Sequence, residues 1–344
     1  MISIICVGDI NLKYENKLEF EKEIIDIFKN SDIRFGNLET VVSNKEGIPE
    51  EKAFNFKANT EKLELLKPLN FTVLNIANNH TLDFGKKLKI DTKKNVLNYG
   101  IKVIGENINS YDIEVLEINN KKIAFMGIEK IKEINYSIFF EKIKEIKKTV
   151  DYIIISIHWG VELCFSPTPK QRKIAYDLIE NGVDIIIGHH PHVLQGIEKY
   201  KNGIIIYSLG NFQFKLEKKD IELNQYTEIV KIIIDDNKIY TEEYPIFIKD
   251  NGNPTTKLIK EQLKKYFLIK EKCKFYIKNL NYFNFLNEVS NYNMAQNLIA
   301  WRIRKEKREK NYILKKIKWF LTPKNMVIYI FYIFKKVIRG NYEK

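Results

Sequence analysis

The sequence predicts an α/β fold built in layers. Two observations carry this. Helix-like and strand-like segments alternate from the N-terminus to about residue 210, the pattern of helices laid on the faces of a sheet. All five histidines, His80, His158, His189, His190 and His192, stand at the ends of apolar, β-branched runs. Such runs read as buried strands, and open α/β sheets place their sites in loops at the carboxyl ends of strands. A lone histidine reads as a core or surface residue. Five in one structural position read as a metal site.

The elements follow in order. Residues 2–7 form a strand that ends at Gly8-Asp9-Ile10-Asn11. Residues 18–28 have helical spacing with charges on the opposite face. A strand at 33–35 leads to Asn37 and Glu39, and 43–52 is a polar loop. A helix is expected near 60–67. A strand at 72–77 ends at Asn78-Asn79-His80, and a helix covers 86–98. A strand at 101–104 precedes a hairpin at 112–128, with Asn119-Asn120 as its turn. Helix 137–149 leads to the strand before His158. Helix 169–181 leads to the strand 185–187, where Gly188 makes the turn and Pro191 fixes φ between His190 and His192. A strand at 204–207 ends near Asn211. Strands near 227–234 and 238–248 pair antiparallel across Asp235-Asp236-Asn237. From 255 onward the chain is helical and richly charged. The Gly252-Asn253-Pro254 segment is the boundary between a main unit, 1–250, and a basic helical region, 251–344.

Composition narrows the class. Apolar content of 44% and charged content of 29% are those of a globular protein, not of a disordered or fibrous chain. Cys6, Cys164 and Cys273 are far apart, so they form neither a disulfide framework nor a zinc knuckle and suit a reducing compartment. The chain enters a strand at once, without a basic n-region or a cleavage site, so no signal peptide is expected and the location is cytoplasmic. No eighteen apolar residues run uninterrupted, so no spanning helix is expected.

The strand ends carry Asp9, Asn11, Asn37, Glu39, Asn79 and the histidines. Imidazole nitrogen mixed with carboxylate and amide oxygen is the ligand set of borderline divalent ions: zinc, manganese or iron. The set exceeds what one tetrahedral ion needs. It suits one or two ions, and a pair would activate water and stabilise both oxygens of an in-line displacement at phosphorus. Among neighbours, Trp159 is a stacking platform or a packing residue. Glu162, four residues after His158, is placed to bind metal, orient His158 or contact substrate. Asn211 donates to an oxyanion or holds its turn. Asp83 and Gly85 read as caps of the next helix.

Six segments resemble, in order, those of the CapA family of poly-γ-glutamate capsule biosynthesis proteins, related to the calcineurin-like metallophosphoesterases. They are Gly8-Asp9-Ile10, Asn37-Leu38-Glu39, the stretch 77–85 around Asn79-His80, His158-Trp159-Gly160-Val161-Glu162, the stretch 188–198 around His190-Pro191-His192, and Tyr207 to Phe212. The resemblance covers about residues 1–248 and implies a four-layer α/β/β/α sandwich with a metal site at the sheet edge. It implies metal ligation by Asp9, Asn11, Glu39, Asn79, His158, His190 and His192. Asn11 stands where the phosphoesterases have a second-ligand histidine, and Glu39 where they have a bridging aspartate. Asn79 and His80 match their Asn-His pair and are the expected catalytic residues, Asn79 binding metal and His80 facing the substrate. Asn37, Trp159, Glu162, His189 (an extra residue in its motif) and Asn211 are the expected substrate contacts. The implied function is a metal-dependent hydrolase acting on a phosphoester or polymer amide in capsule or surface-polymer production. The alternative is a non-catalytic assembly factor among capsule-synthesis membrane proteins.

The tail stands apart. Of a net charge of +13, residues 301–344, with fourteen Lys and Arg against three Glu, hold +11. Residues 326–334 are an unbroken apolar and aromatic run beside Lys335, Lys336 and Arg339. It is too short to span a bilayer but suits a basic interfacial anchor on anionic lipid, peripheral at the inner membrane face. A hairpin folded onto the body or an oligomer contact are the other readings. Aromatics in one block, not interleaved with basic residues, speak against nucleic acid.

Overall fold

A computed structural model describes residues 1–14, 19–105, 113–129, 135–215, 222–236, 238–286 and 288. Two sheets face each other. The first contains β1 (Ile2–Ile10), β2 (Ile33–Leu38), β5 (Val73–Asn75), β6 (Lys102–Ile104), β13 (Asn211–Gln213), β14 (Tyr226–Asp235), β15 (Lys238–Ile248) and β16 (Pro254–Thr255). Its order is β16-β15-β14-β1-β2-β5-β6, with β13 beside the end of β1. The second has β7 (Ile113–Ile118), β8 (Lys121–Ile128), β9 (Tyr152–His158), β10 (Ile185–His189), β11 (Leu194–Tyr200) and β12 (Gly203–Leu209), ordered β11-β12-β10-β9-β8-β7. Two short strands, β3 (Val41–Val42) and β4 (Lys57–Ala58), pair separately.

Helices close both outer faces. Residues of β1 such as Ile5 and Val7 point outward onto α1 (Lys22–Lys29) and α2 (Lys86–Asn98), through Phe28 and Val96. Their neighbours Ile4 and Cys6 point inward and meet Ile154 and Ile187 of the facing sheet. The far faces of β9 and β10 bury Ile153, Ile155 and Ile186 against α3 (Tyr136–Lys147) and α4 (Pro169–Glu180). Strands covered on both faces have no reason to alternate in polarity, hence the isoleucine runs. The result is the four-layer α/β/β/α sandwich. Full burial of each such side chain contributes about 1.5–3 kcal/mol, and this core fixes the strand ends on which the site stands.

Local differences from the sequence reading have local causes. Thr60–Leu69 is a 3-10 segment and not an α-helix, and it contains Pro68, which lacks the amide an α-helix interior needs. Strand β11 was not expected. Gly196 interrupts its pattern where a helix, α5 (Lys260–Lys278), packs on it: a Cβ there would lie 2.2 Å from the side-chain Cδ1 of Ile277 and 3.3 Å from the Cys273 carbonyl oxygen. The hairpin turn is as read: Asn119 and Asn120 both have positive φ, 51° and 61°, the turn type that asparagine favours. Past the expected boundary, β16 still pairs with β15. Helix α5 lays Tyr266, Ile269, Cys273 and Tyr276 on Val193, Leu194 and Tyr226. The tail at 301–344 lies outside the described residues. Among the described residues no helix is long and apolar enough to cross a membrane.

Candidate metal centre

Parallel pairing brings the carboxyl ends of β1, β2 and β5 to one edge, and those of β9 and β10 to the same edge from the facing sheet. Asp9 stands in register with Asn37 on one side and Asn211 on the other. Register shifts flank Asp9, and such irregularities re-aim a side chain. Gly8 makes the seat possible: a Cβ there would lie 2.0 Å from the Gly210 carbonyl oxygen.

The buried carboxylate of Asp9 is held from three sides. Asn37 Nδ2 donates to Oδ1 at 2.8 Å, His189 Nδ1 lies 3.3 Å from Oδ1, and His192 Nδ1 lies 3.1 Å from Oδ2. Burial opposes its charge, but the two histidines outweigh burial and hold it well below the usual carboxylate range. Asn37 is in turn fixed by Asn75 Nδ2 and Asn78 Nδ2, which donate to its Oδ1 at 2.8 and 3.2 Å.

Glu39 sits at the centre. Its carboxylate is fully buried and neither oxygen has a hydrogen-bond partner. The Nε2 atoms of His80, His158 and His192 surround Oε1 at 3.7, 3.9 and 3.8 Å. These distances are too long for hydrogen bonds, and they are near twice a metal–ligand bond of about 2.0–2.2 Å. Burial, then the neighbouring Asp9, push Glu39 well above its usual range. An unpaired buried carboxylate costs several kcal/mol, a cost that a cation among these groups would offset. Asp9, Glu39 and His192 offer ligand atoms within 4.8 Å of one another, as do Glu162, His190 and His192. The residues therefore fit a divalent ion.

The remaining histidines complete the wall. His158 Nε2 meets Asn79 Oδ1 at 2.9 Å, and burial drives its pKa well below the usual value. His190 packs its ring 4.8 Å from that of His158, and burial lowers it too. His192 also meets Asn211 Oδ1 at 2.9 Å through Nδ1. Against the burial that opposes its charge, Glu39 and Asp9 push His192 up to about 10. His190 and His192 have φ of 97° and 57°, a left-handed backbone that non-glycine residues adopt at a cost and that clusters at functional sites.

The structure thus gathers Asp9, Glu39, Asn79, His80, His158, His190 and His192. Several expected contacts face elsewhere. Asn11 is buried, and its Oδ1 accepts from Thr40 Oγ1 at 3.1 Å and from the Lys13 amide at 3.0 Å. His189 has no exposed surface. It lies against Asp9 and Phe35 in the interior, so it positions Asp9 and cannot touch a substrate. Asn37 is equally buried and holds Asp9. Trp159 is a packing residue: its Nε1 donates to the Tyr207 carbonyl at 3.0 Å and its ring stacks on Tyr207. Asn211 serves His192.

Asp83 is not the helix cap that its position suggested, since α2 begins at Lys86 with Gly85 as N-cap. Its Oδ2 lies 2.7 Å from His80 Nδ1 and accepts from the Phe56 amide at 2.6 Å, while Oδ1 pairs with Lys52. Lys52 also donates to the Asn79 carbonyl at 2.7 Å, and Phe56 stacks on His80. The spacing of Asp83 three residues after His80 was a usable signal. For Lys52, Phe56 and Asn75 the sequence offered none.

Residues 3–216 match the family described as bacterial capsule synthesis protein PGA_cap. The chain is 32% identical over 256 residues to the PGA biosynthesis protein CapA of Bacillus subtilis (strain 168), covering 66% of this chain and 67% of that one. It is 33% identical over 232 residues to the capsule biosynthesis protein CapA of Bacillus anthracis, covering 60% of this chain and 56% of that one. The chain thus spans about half to two thirds of the length of these relatives. Among solved structures it aligns with a novel phosphatase from Mycoplasma pneumoniae at a TM-score of 0.46 and 16% identity, over 78% of this chain and 98% of that one. With a matched segment that holds Asp9, Glu39, Asn79, His158, His190 and His192 alike, the chain belongs to the PGA_cap family of bacterial capsule synthesis proteins.

Proposed function

We propose that this chain is a metal-dependent hydrolase acting in the production of a capsule or surface polymer of the polyglutamate type. The observation that carries the reading is Glu39: a buried carboxylate without a hydrogen bond, ringed by three imidazole nitrogens. Asp9, Glu39, Asn79, His158, His190 and His192 would hold one or two divalent ions of manganese, zinc or iron. Such ions supply Lewis acidity and an activated water for attack on a phosphoester or amide.

The protein's own groups do the rest. Asp83 accepts the Nδ1 proton of His80, which leaves the unprotonated Nε2 turned toward Glu39 as the atom that would take a proton from the attacking water and, once charged, return it to the leaving oxygen. Asn37 and His189 hold Asp9, and Asn211 holds His192, so the ligand geometry is set before any ion arrives. The names of the relatives support the polymer, which stays part of the proposal, as do partners among capsule-synthesis membrane proteins and a cytoplasmic place at the membrane face.

Asn11 favours a second reading, a non-catalytic assembly factor, because its oxygen is committed to Thr40 and Lys13. Turnover of bis(p-nitrophenyl) phosphate separates the two. The hydrolase reading expects manganese-dependent release of nitrophenolate that Glu39→Gln abolishes. Metal uptake without turnover of phosphodiester or polyglutamate gives the assembly role.

A further inference from the structure

Glu162 stands on the loop after β9, on the open side of the centre. Two backbone hydrogen bonds tie this loop to the histidine loop after β10. The Trp159 amide donates to the His189 carbonyl at 3.0 Å, and the Leu163 amide donates to the Pro191 carbonyl at 2.8 Å. Glu162 lies between these ties, so its position relative to His190 and His192 is fixed by main chain. Gly160 and Leu163, with φ of 94° and 56°, bend the loop to allow it.

The consequence is a second ligand set. Glu162, His190 and His192 place ligand atoms within 4.8 Å of one another. The Nδ1 atom of His190 is buried without a hydrogen-bond partner. The set shares His192 with Asp9 and Glu39, and because Nδ1 of His192 is engaged by Asn211, its Nε2 can serve one ion only. Beyond that the two sets differ in burial. Asp9 and Glu39 have no exposed surface, whereas Glu162, His190 and His192 are only half-buried.

We propose that Glu162, not Asn11, supplies the carboxylate ligand of an outer, solvent-exchangeable divalent cation, held with His190 and His192 beside the buried inner one. One carboxylate and two imidazoles suit zinc, manganese or iron. The outer ion reaches solvent over half-buried ligands, so it binds last and leaves first. The inference rests on the metal reading of the centre and adds to it a ligand and an order of loading.

Equilibrium dialysis of the full chain against manganese tests it, with metal content read by mass spectrometry. In Glu162→Gln the weakest equivalent should lose about tenfold or more in affinity, as outer-shell losses already do, with the tightest equivalent unchanged. The retained tight equivalent shows that the variant is folded. Asn11→Ala should match the wild type in both equivalents. An unchanged profile in Glu162→Gln, or loss of an equivalent in Asn11→Ala, overturns the assignment while leaving a metal-dependent hydrolase standing. A wild-type chain that takes up no manganese, zinc or iron sinks the hydrolase reading itself and this inference with it.

Discussion

His80 and Asp83 meet at 2.7 Å through the imidazole Nδ1 and a carboxylate oxygen that is wholly buried. Lys52 pairs with the other oxygen. The carboxylate therefore fixes both the ring orientation and the tautomer of His80, and the lysine neutralises the charge that fixes them. Burial still lowers the His80 pKa against the pull of Asp83, which favours the neutral ring.

His80→Ala should lower a hydrolytic rate by about 10²–10⁴-fold, the usual worth of a general acid or base. Metal content should stay intact. Asp83→Asn should cost less, about 10–100-fold, and should move the ring nitrogen resonances of His80 toward mixed tautomers. Parallel loss of metal and rate in His80→Ala would show that His80 is a ligand.

The ends of the long isoleucine strands were legible because burial on both faces leaves an unbroken apolar run that stops where the chain reaches the sheet edge. The polar residues at those strand ends were legible for the same reason. Which of them face the cavity was not. His189 and His190 are adjacent, but the strand ends at His189 and His190 turns away with a φ of 97°, which sends them to different surroundings: His189 into the interior beside Asp9, His190 to the cavity wall. Lys52 and Phe56 reach His80 from a polar loop with no periodicity. Contacts made across the fold by a loop leave no spacing to read.

Metal uptake should release protons. Burial and Asp9 favour a proton on Glu39 well above its usual range, and Asp9 with any charge on Glu39 favours one on His192, so this coupled pair carries roughly one to two protons between them when metal-free. Both must lose their protons to bind an ion. Asp9, held well below its usual range, has none to give. Affinity should therefore fall as pH falls, because protons occupy Glu39 and His192 below their metal-free pKa values. Titration calorimetry at neutral pH in buffers of different ionisation enthalpy should show roughly one to two protons released per protein. Uptake without proton release would remove Glu39 and His192 from the ligand set.

Helix α5 is attached through charge. Glu228 of β14 is fully buried and accepts from Tyr266 Oη at 2.8 Å and Lys270 Nζ at 2.7 Å. Lys270→Met leaves that carboxylate in the core without its cation, which typically costs about 3–5 kcal/mol. Replacing both residues by methionine should restore most of the loss, since the desolvated charge is gone. Urea unfolding of the single and double variants measures this. Equal destabilisation in both would show that the methionines pack badly and that the charge is not the issue.

Residues 301–344 carry +11 of the +13 net charge, and residues 326–334 are the longest apolar and aromatic run in that segment. Anionic headgroups attract basic residues at about 1 kcal/mol each near the surface, and acyl chains take up an apolar strip that water excludes. The preceding 300 residues carry only +2 and have no such pull. We expect the full chain to sediment with vesicles containing phosphatidylglycerol, and a chain ending near residue 292 to stay in the supernatant. Salt should weaken the binding without abolishing it, because screening acts on the lysines and arginines but not on the burial of residues 326–334. Equal sedimentation of the shortened chain would move the lipid contact onto the body. No sedimentation of either would leave the tail as a contact within the protein or between copies of it.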